Sequence, residues 1–391
     1  MKSFLKEAQS LFEYTRNLRR DLHQHPELGF EEVRTATIVA NELKKLGFEV
    51  RTGVAKTGVV ALLVGSNPGP VRLLRFDMDA LPINEETGAV YASQTPGKMH
   101  ACGHDGHVAV GLTVARLLSG YRNQLQGTIK FVFQPAEEGL GGADRMIAEG
   151  ILDAPVPERA LGMHVWNDKP AGWWGIAPGP TMAGADIFSV RITGKGGHGA
   201  APHLTNDPVI AAAQVITTLQ SIVSRNVAPL QSAVVSVTRV VGGEAFNVIP
   251  SSVELKGTIR TFEETVHKMV IERFHQTVNG VAAALGCRAE VDLQTITPVL
   301  VNDAQVVRQL QSLGAELMPS EQIDSSFQTM GSEDMAFILQ KVPGCFIMVG
   351  SANSEKGLSY SHHHPRFDFD ETILPKAAAF IASAAVDLGA K

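Results

Sequence analysis

Ile187-Phe188-Ser189-Val190-Arg191-Ile192 sets Phe188, Val190 and Ile192 against Ser189 and Arg191, the two-residue period of a strand with one buried face. The elements C-terminal to this strand decide the fold of its region. Asp207–Val223 reads as a helix with Pro208 in its first turn, where the missing N–H costs nothing. Ala233–Val241 and Val253–Ile259 read as strands, Glu263–Leu285 as a helix and Arg288–Leu293 as a strand. The order β-α-β-β-α-β is that of a ferredoxin-like split βαβ unit.

Outward from this region the rhythm changes. Upstream, helices are expected up to about Leu22, from Glu31 to Leu46 with Gly47 closing it, and from His107 to Leu118. Strands are expected at Val59–Val64, Val71–Phe76, Thr128–Phe133 and Ala160–Val165. Downstream come helices at Ala304–Leu317 and Ser332–Leu339, a buried strand at Cys345–Val349 and a closing helix from Ile373. A chain of 391 residues is too long for one ordinary core. The expected fold is therefore a large α/β catalytic domain with a mixed sheet, in two parts (1–183 and 298–391). A smaller α+β domain (184–297) interrupts it.

A formal net charge of -6 argues against a nucleic-acid partner, and no apolar run is long enough to span a membrane. The segment Met1 to Asp21 is charged throughout, unlike a secretory signal. Three cysteines, Cys102, Cys287 and Cys345, make no disulfide framework and suit a reducing cytoplasm.

Chemistry concentrates in segments far apart in the chain, each where a strand or helix meets a loop, which is where open α/β sheets place their sites. Met99-His100-Ala101-Cys102-Gly103-His104-Asp105-Gly106-His107 offers a thiolate and imidazoles beside two turn-forming glycines, a donor set for a borderline-soft metal such as zinc. In Gln134-Pro135-Ala136-Glu137-Glu138-Gly139, adjacent carboxylates at a strand end can divide labour, one ligating and one acting as base. His164 ends an apolar strand, and His362, His363 and His364 run into Pro365. Asp77 and Asp79, two apart on an extended chain, face the same way and suit the N–H groups of ligating imidazoles. A cysteine hydrolase built on Cys102 with His104 or His107 as base is the competing class, less in keeping with so many histidines and the Glu137–Glu138 pair.

Taken together, these segments resemble the amidohydrolase branch of the M20 metallopeptidase family. The likeness rests on Arg19-Arg20-Asp21-Leu22-His23-Gln24-His25-Pro26-Glu27, Asp77-Met78-Asp79-Ala80-Leu81-Pro82, Cys102-Gly103-His104-Asp105 and Pro135-Ala136-Glu137-Glu138-Gly139. It continues through His164, Gly197-His198-Gly199-Ala200-Ala201-Pro202-His203, Gly331-Ser332-Glu333-Asp334 and His363, in one order from about residue 15 to 375.

The resemblance implies hydrolysis of the amide bond of small N-acyl amino acids by a homodimer with two divalent ions per subunit. Zinc is the first expectation, with manganese, cobalt or nickel as alternatives. It implies Cys102 as a bridge between the ions, His104 and His164 completing one site, and Glu138 and His363 the other. Glu137 becomes the general base, and His198 the oxyanion donor reaching across the dimer. Asn247 and Arg260 become substrate-binding groups, and Asp79 supports a ligand. A metallo-aminopeptidase or carboxypeptidase is the alternative, since peptidase relatives usually carry His-x-Asp where this chain has Asp77-Met78-Asp79.

Overall fold

The computed structural model describes residues 3–388; the outermost positions of the expected 1–183 and 298–391 domains lie outside that range. The chain divides into two compact units. One comprises the chain up to Gly179, Val301–Gln328 and the chain from Glu333 on; the other comprises Pro180–Leu300 with Thr329–Ser332.

In the first unit, helices α1 (Leu5–Ser10), α2 (Phe12–Gln24) and α3 (Val33–Lys45) precede strands β1 (Glu49–Val54), β2 (Gly58–Val64) and β3 (Asn67–Asp77). Then come α4 (His104–Gly120), β4 (Gln126–Gln134), α5 (Gly142–Ala148), β5 (Arg159–Pro170) and β6 (Trp173–Gly175).

The second unit holds β7 (Gly184–Thr193), α6 (Pro208–Ser221), β8 (Ala233–Val241), β9 (Ser252–Thr261), α7 (Glu264–Ala284) and β10 (Arg288–Thr297). The chain returns to the first unit with α8 (Ala304–Leu317), β11 (Gln322–Asp324), α9 (Met335–Leu339), β12 (Gly344–Ala352) and α10 (Leu374–Asp387).

The large sheet is mixed, in the order β1-β2-β4-β3-β5-β12-β6-β11. Its centre is parallel: β3 pairs in parallel with β4 and with β5, and β5 with β12. Alternation along β5 puts Leu161, Met163 and Val165 into the main apolar cluster, which also takes residues of α3, α4, α8 and α10. Gly162 lies on the opposite face, within reach of Met335 of α9. Helices therefore cover both faces, and the ends of β3, β4 and β5 open at one edge.

The second unit is a four-stranded antiparallel sheet in the order β8-β9-β7-β10. β9 lies between β7 and β8, so the βαβ unit is split, as its sequence order predicts. Phe188 of β7 meets Phe274 of α7 at 4.6 Å in the centre of a separate core.

Long elements lie where their periodicity puts them; two differ at a chemical boundary. α4 starts at His104, not His107, because Gly103 (φ +89°) turns the chain and its carbonyl accepts the Gly106 and His107 N–H groups. The expected helix from Ser332 starts only at Met335. Glu333 accepts the Met335 N–H, and Asp334 is drawn into a buried charge network instead of a helical turn.

Candidate metal centre

The parallel strands end in charge. Asp77 closes β3, and Asp79 lies just beyond it; both are buried. Asp79 accepts the Glu137 N–H through Oδ1 and the Glu138 N–H through Oδ2, each at 3.0 Å. Its Oδ1 also lies 3.3 Å from His104 Nδ1. One carboxylate thus fixes the loop after β4 against the first turn of α4.

Within this frame five groupings of donor atoms form among the described residues; two of them share Cys102, and another, His104 with Glu137 and Glu138, takes in Glu137. Cys102, His104 and His164 offer one set within 4.8 Å of one another, and Cys102, Glu138 and His363 offer another. Cys102 belongs to both. His164 donates from Nδ1 to the Val165 carbonyl at 2.5 Å, which makes Nε2 the acceptor of a hydrogen bond from the Cys102 thiol at 3.5 Å. His363 holds a left-handed backbone (φ +65°) and is anchored by its N–H on the Ala101 carbonyl at 2.8 Å. Its Nε2 sits 3.2 Å from Glu138 Oε1.

Two other groupings are already satisfied. In Asp77/His104/His107, His107 donates from Nδ1 to Asp77 at 2.5 Å, and its Nε2 accepts the Val165 N–H at 3.0 Å. In Glu137/Glu333/Asp334, the Arg75 guanidinium contacts Glu333 at 2.8 Å and Asp334 at 2.9 Å.

The residues fit divalent cations. With Nδ1 of His104 facing Asp79, its Nε2 is buried without a hydrogen bond, an unfavourable state unless something binds it. Thiol, imidazole and carboxylate together make a borderline donor set. Burial, reinforced by Glu138 and Glu137, pushes the Cys102 thiol well above its usual range, so its thiolate needs a cation beside it.

Glu137 is also held well above the usual carboxylate range, by burial and then by Glu333, Glu138 and Asp334, against Arg75. Burial likewise raises Glu333 to about 8 and Asp334 to about 6, although Arg75 opposes both. For His363 the hydrogen-bonding contact with Glu138 raises the pKa.

A second buried network lies beside the cluster. Arg19 of α2, fully buried, donates from Nε to Asp105 and from Nη2 to Asp368, both at 2.8 Å. His23 contacts Asp105 through Nδ1 at 2.7 Å and Glu85 through Nε2 at 3.3 Å. Burial and Arg19 disfavour its charge, but the two carboxylates outweigh them and lift it to about 9.

The remaining expected site residues lie in the second unit. Gly197 and His198 form a two-residue antiparallel ladder with Ile249 and Val248, His198 opposite Val248. The His198 Nδ1 accepts the Ala200 N–H at 3.0 Å, so a neutral ring carries its proton on Nε2. Asn247 is exposed, and its carbonyl accepts the Gly199 N–H at 2.8 Å. Arg260 is half-buried on β9, and Nη1 donates to Thr258 Oγ1 and the Ile259 carbonyl.

Arg75, Gln134, Glu333, Asp334 and Arg19 are the groups that residue-by-residue reading left without a role. A signal existed for Arg75: charges at alternate positions of an otherwise apolar strand, Arg75-Phe76-Asp77-Met78-Asp79, are rarely buried unless paired.

Residues 73–387 match the Peptidase family M20/M25/M40. The chain belongs to this family. It is 41% identical over 371 residues to an N-acetylcysteine deacetylase of Bacillus subtilis, covering 95% of each chain. It is 40% identical over 385 residues to IAA-amino acid hydrolase ILR1-like 4 of Arabidopsis thaliana, covering 97% of this chain and 87% of that one. The crystal structure of the Bacillus subtilis YXEP protein, described as a dinuclear metal binding peptidase of the M20 family, superposes with a TM-score of 0.84 at 37% identity. That match covers 97% of this chain and 99% of the other. This M20 chain is thus a metal-dependent amide hydrolase of the amidohydrolase branch. Among its described residues no helix is long and apolar enough to cross a membrane.

Proposed function

We propose that this M20 amidohydrolase cleaves small N-acyl amino acids to a carboxylic acid and a free amino acid, with two divalent cations per chain. Zinc is the first choice, and manganese, cobalt and nickel remain chemically suitable. The reading rests on one observation more than any other: two donor triads share Cys102 beside a carboxylate, Glu137, that belongs to neither.

His104 and His164 would hold one cation and Glu138 and His363 the other, with Cys102 within reach of both sets. Bound cations supply Lewis-acid polarisation and lower the pKa of water toward neutrality. Glu137 takes the proton of the attacking water on its carboxylate and delivers it to the leaving nitrogen.

His198, with its proton on Nε2, donates to the developing oxyanion of the partner protomer's substrate in a homodimer. Arg260 and Asn247 bind the substrate's carboxylate and backbone.

The direct test strips the enzyme of metal, reloads it with each candidate ion and assays N-acetyl, N-benzoyl and longer N-acyl amino acids. Metal-dependent release of free amino acid is expected. Cleavage of dipeptides with no release from any acyl amino acid would replace this reading with a peptidase. The trans role of His198 is tested by mixing unfolded Glu137→Gln and His198→Ala chains and refolding them together. Half the dimers are then mixed with one working site each, so about a quarter of wild-type activity should return. No recovery would sink the trans arrangement.

A further inference from the structure

We infer that Arg19, on a helix that carries no metal donor, is the positioning residue that sets the spacing of the two cation half-sites. The inference rests on the two-cation reading of the proposed function. The two halves come from segments more than 250 residues apart: Cys102 and His104 at the start of α4, and His363 in the coil before α10. Each has a carboxylate close behind its ligand. Asp105 directly follows His104, and Asp368 lies five positions after His363.

A single guanidinium grips both carboxylates. Arg19 Nε donates to Asp105 Oδ2 and Nη2 to Asp368 Oδ1, each at 2.8 Å, while Nη1 reaches Glu371 at 3.2 Å. The planar fork fixes distance and angle between the two acceptors, as a flexible ammonium cannot. Phe369 lies under the guanidinium at 4.5 Å, and Tyr91 donates its hydroxyl to Asp368 Oδ2 at 2.7 Å. Arg19 is fully buried, so bulk water cannot substitute for it.

The two halves depend on this grip unequally. His104 and Cys102 have independent support, since His104 sits in a helix and faces Asp79 at 3.3 Å. His363 stands in coil with a left-handed backbone; its N–H donates to the Ala101 carbonyl, and Asn167 holds the segment at His362 Nε2 and at the Tyr360 and Asp368 carbonyls. Those contacts leave the position of His363 within the coil to the Arg19–Asp368 grip, whereas His104 is fixed by its helix, so loosening the grip displaces His363 first. The cation held by Glu138 and His363 should weaken, while the one held by Cys102, His104 and His164 stays.

The test is a cobalt(II) titration of metal-free wild type, Arg19→Lys and Asp368→Asn, read by the thiolate-to-cobalt absorption band and by bound-metal stoichiometry. Wild type is expected to take two equivalents. Both variants should take the first as wild type does and bind the second about 10- to 100-fold more weakly, the usual effect of losing a group that orients a ligand. Asp368→Asn keeps the Arg19–Asp105 pair and guards against simple unfolding; the metal-free melting temperature of each variant is measured alongside. Two wild-type-like equivalents in both variants would overturn the clamp, as would equal weakening of both equivalents. Wild type that binds one equivalent or none would instead overturn the two-cation reading itself.

Discussion

At the scale of single residues, the proposed mechanism separates donors from the group that does proton work. Glu137 and Glu138 are neighbours, yet Glu138 sits 3.2 Å from His363 while Glu137 faces Glu333, Asp334 and Arg75. Glu137→Gln keeps the shape and removes the base. It should keep wild-type metal content and lose roughly 100- to 10,000-fold in kcat, the usual share of general acid–base catalysis. A metal assay beside steady-state kinetics checks this, and near-wild-type turnover would remove Glu137 from the mechanism. Gly103 makes a different demand. Its φ is +89°, and a Cβ there would come within 2.4 Å of Val165 Cγ2. Gly103→Ala should cost at least about 1–2 kcal/mol from the left-handed backbone alone and displace Cys102 and His104 from Val165 and His164. Thermal melting and metal stoichiometry should both fall; retained stoichiometry would show that the turn tolerates the methyl group.

Elements show where reading from sequence succeeds and where it stops. Ala233–Val241 and Ala304–Leu317 carry enough periods for their bounds to be read directly. Trp173–Gly175 and Gln322–Asp324, three residues each, carry none; they are strands only because the sheet edge offers them partners. The same limit governs the centre. Cys102, His104, Glu137 and Glu138 are conspicuous by type and clustering. Arg19 reads as one more charge on an amphipathic helix, because its partners at 105 and 368 are close only in space. In the second unit a comparable long-range pair is testable by pH. His267 of α7 contacts Asp186 of β7 at 2.8 Å, and Thr295 of β10 donates to the same carboxylate at 2.7 Å. The hydrogen bond to Asp186 raises the His267 pKa, although burial opposes it. A raised folded value means the stabilisation is fully present below the unfolded value of about 6.5 and is lost as pH rises through the folded value. The stability gap between wild type and His267→Gln should therefore be widest in mild acid and close toward alkaline pH. Denaturant melts across that range check the sign, and a gap that widens with pH would contradict it.

On the scale of the whole molecule, two cores are built from one chain, and among the described residues the proposed metal donors all lie in one of them. Cys102, His104, Glu138, His164 and His363 all belong to the α/β unit, while the second unit packs around Phe188 and Phe274. A ligand that binds only the folded state stabilises the unit whose fold positions its donors, by about 2.7 kcal/mol at a hundred times Kd. The chain carries a built-in reporter for this asymmetry. Its three tryptophans, Trp166, Trp173 and Trp174, all lie in the α/β unit, as do its four tyrosines, Tyr14, Tyr91, Tyr121 and Tyr360. Tryptophan fluorescence therefore tracks the α/β unit alone, whereas far-ultraviolet circular dichroism tracks the helices of both. Chelation should lower the fluorescence-detected melting temperature by on the order of 5–10 °C, while a component of the dichroism melt stays in place. Since Cys102 must lose its proton to ligate and burial holds that proton on, the fluorescence shift should grow as pH rises. Were the two melts to coincide and move together with metal, the units would be unfolding as one cooperative body, and cation binding would be stabilising the second core as strongly as the first.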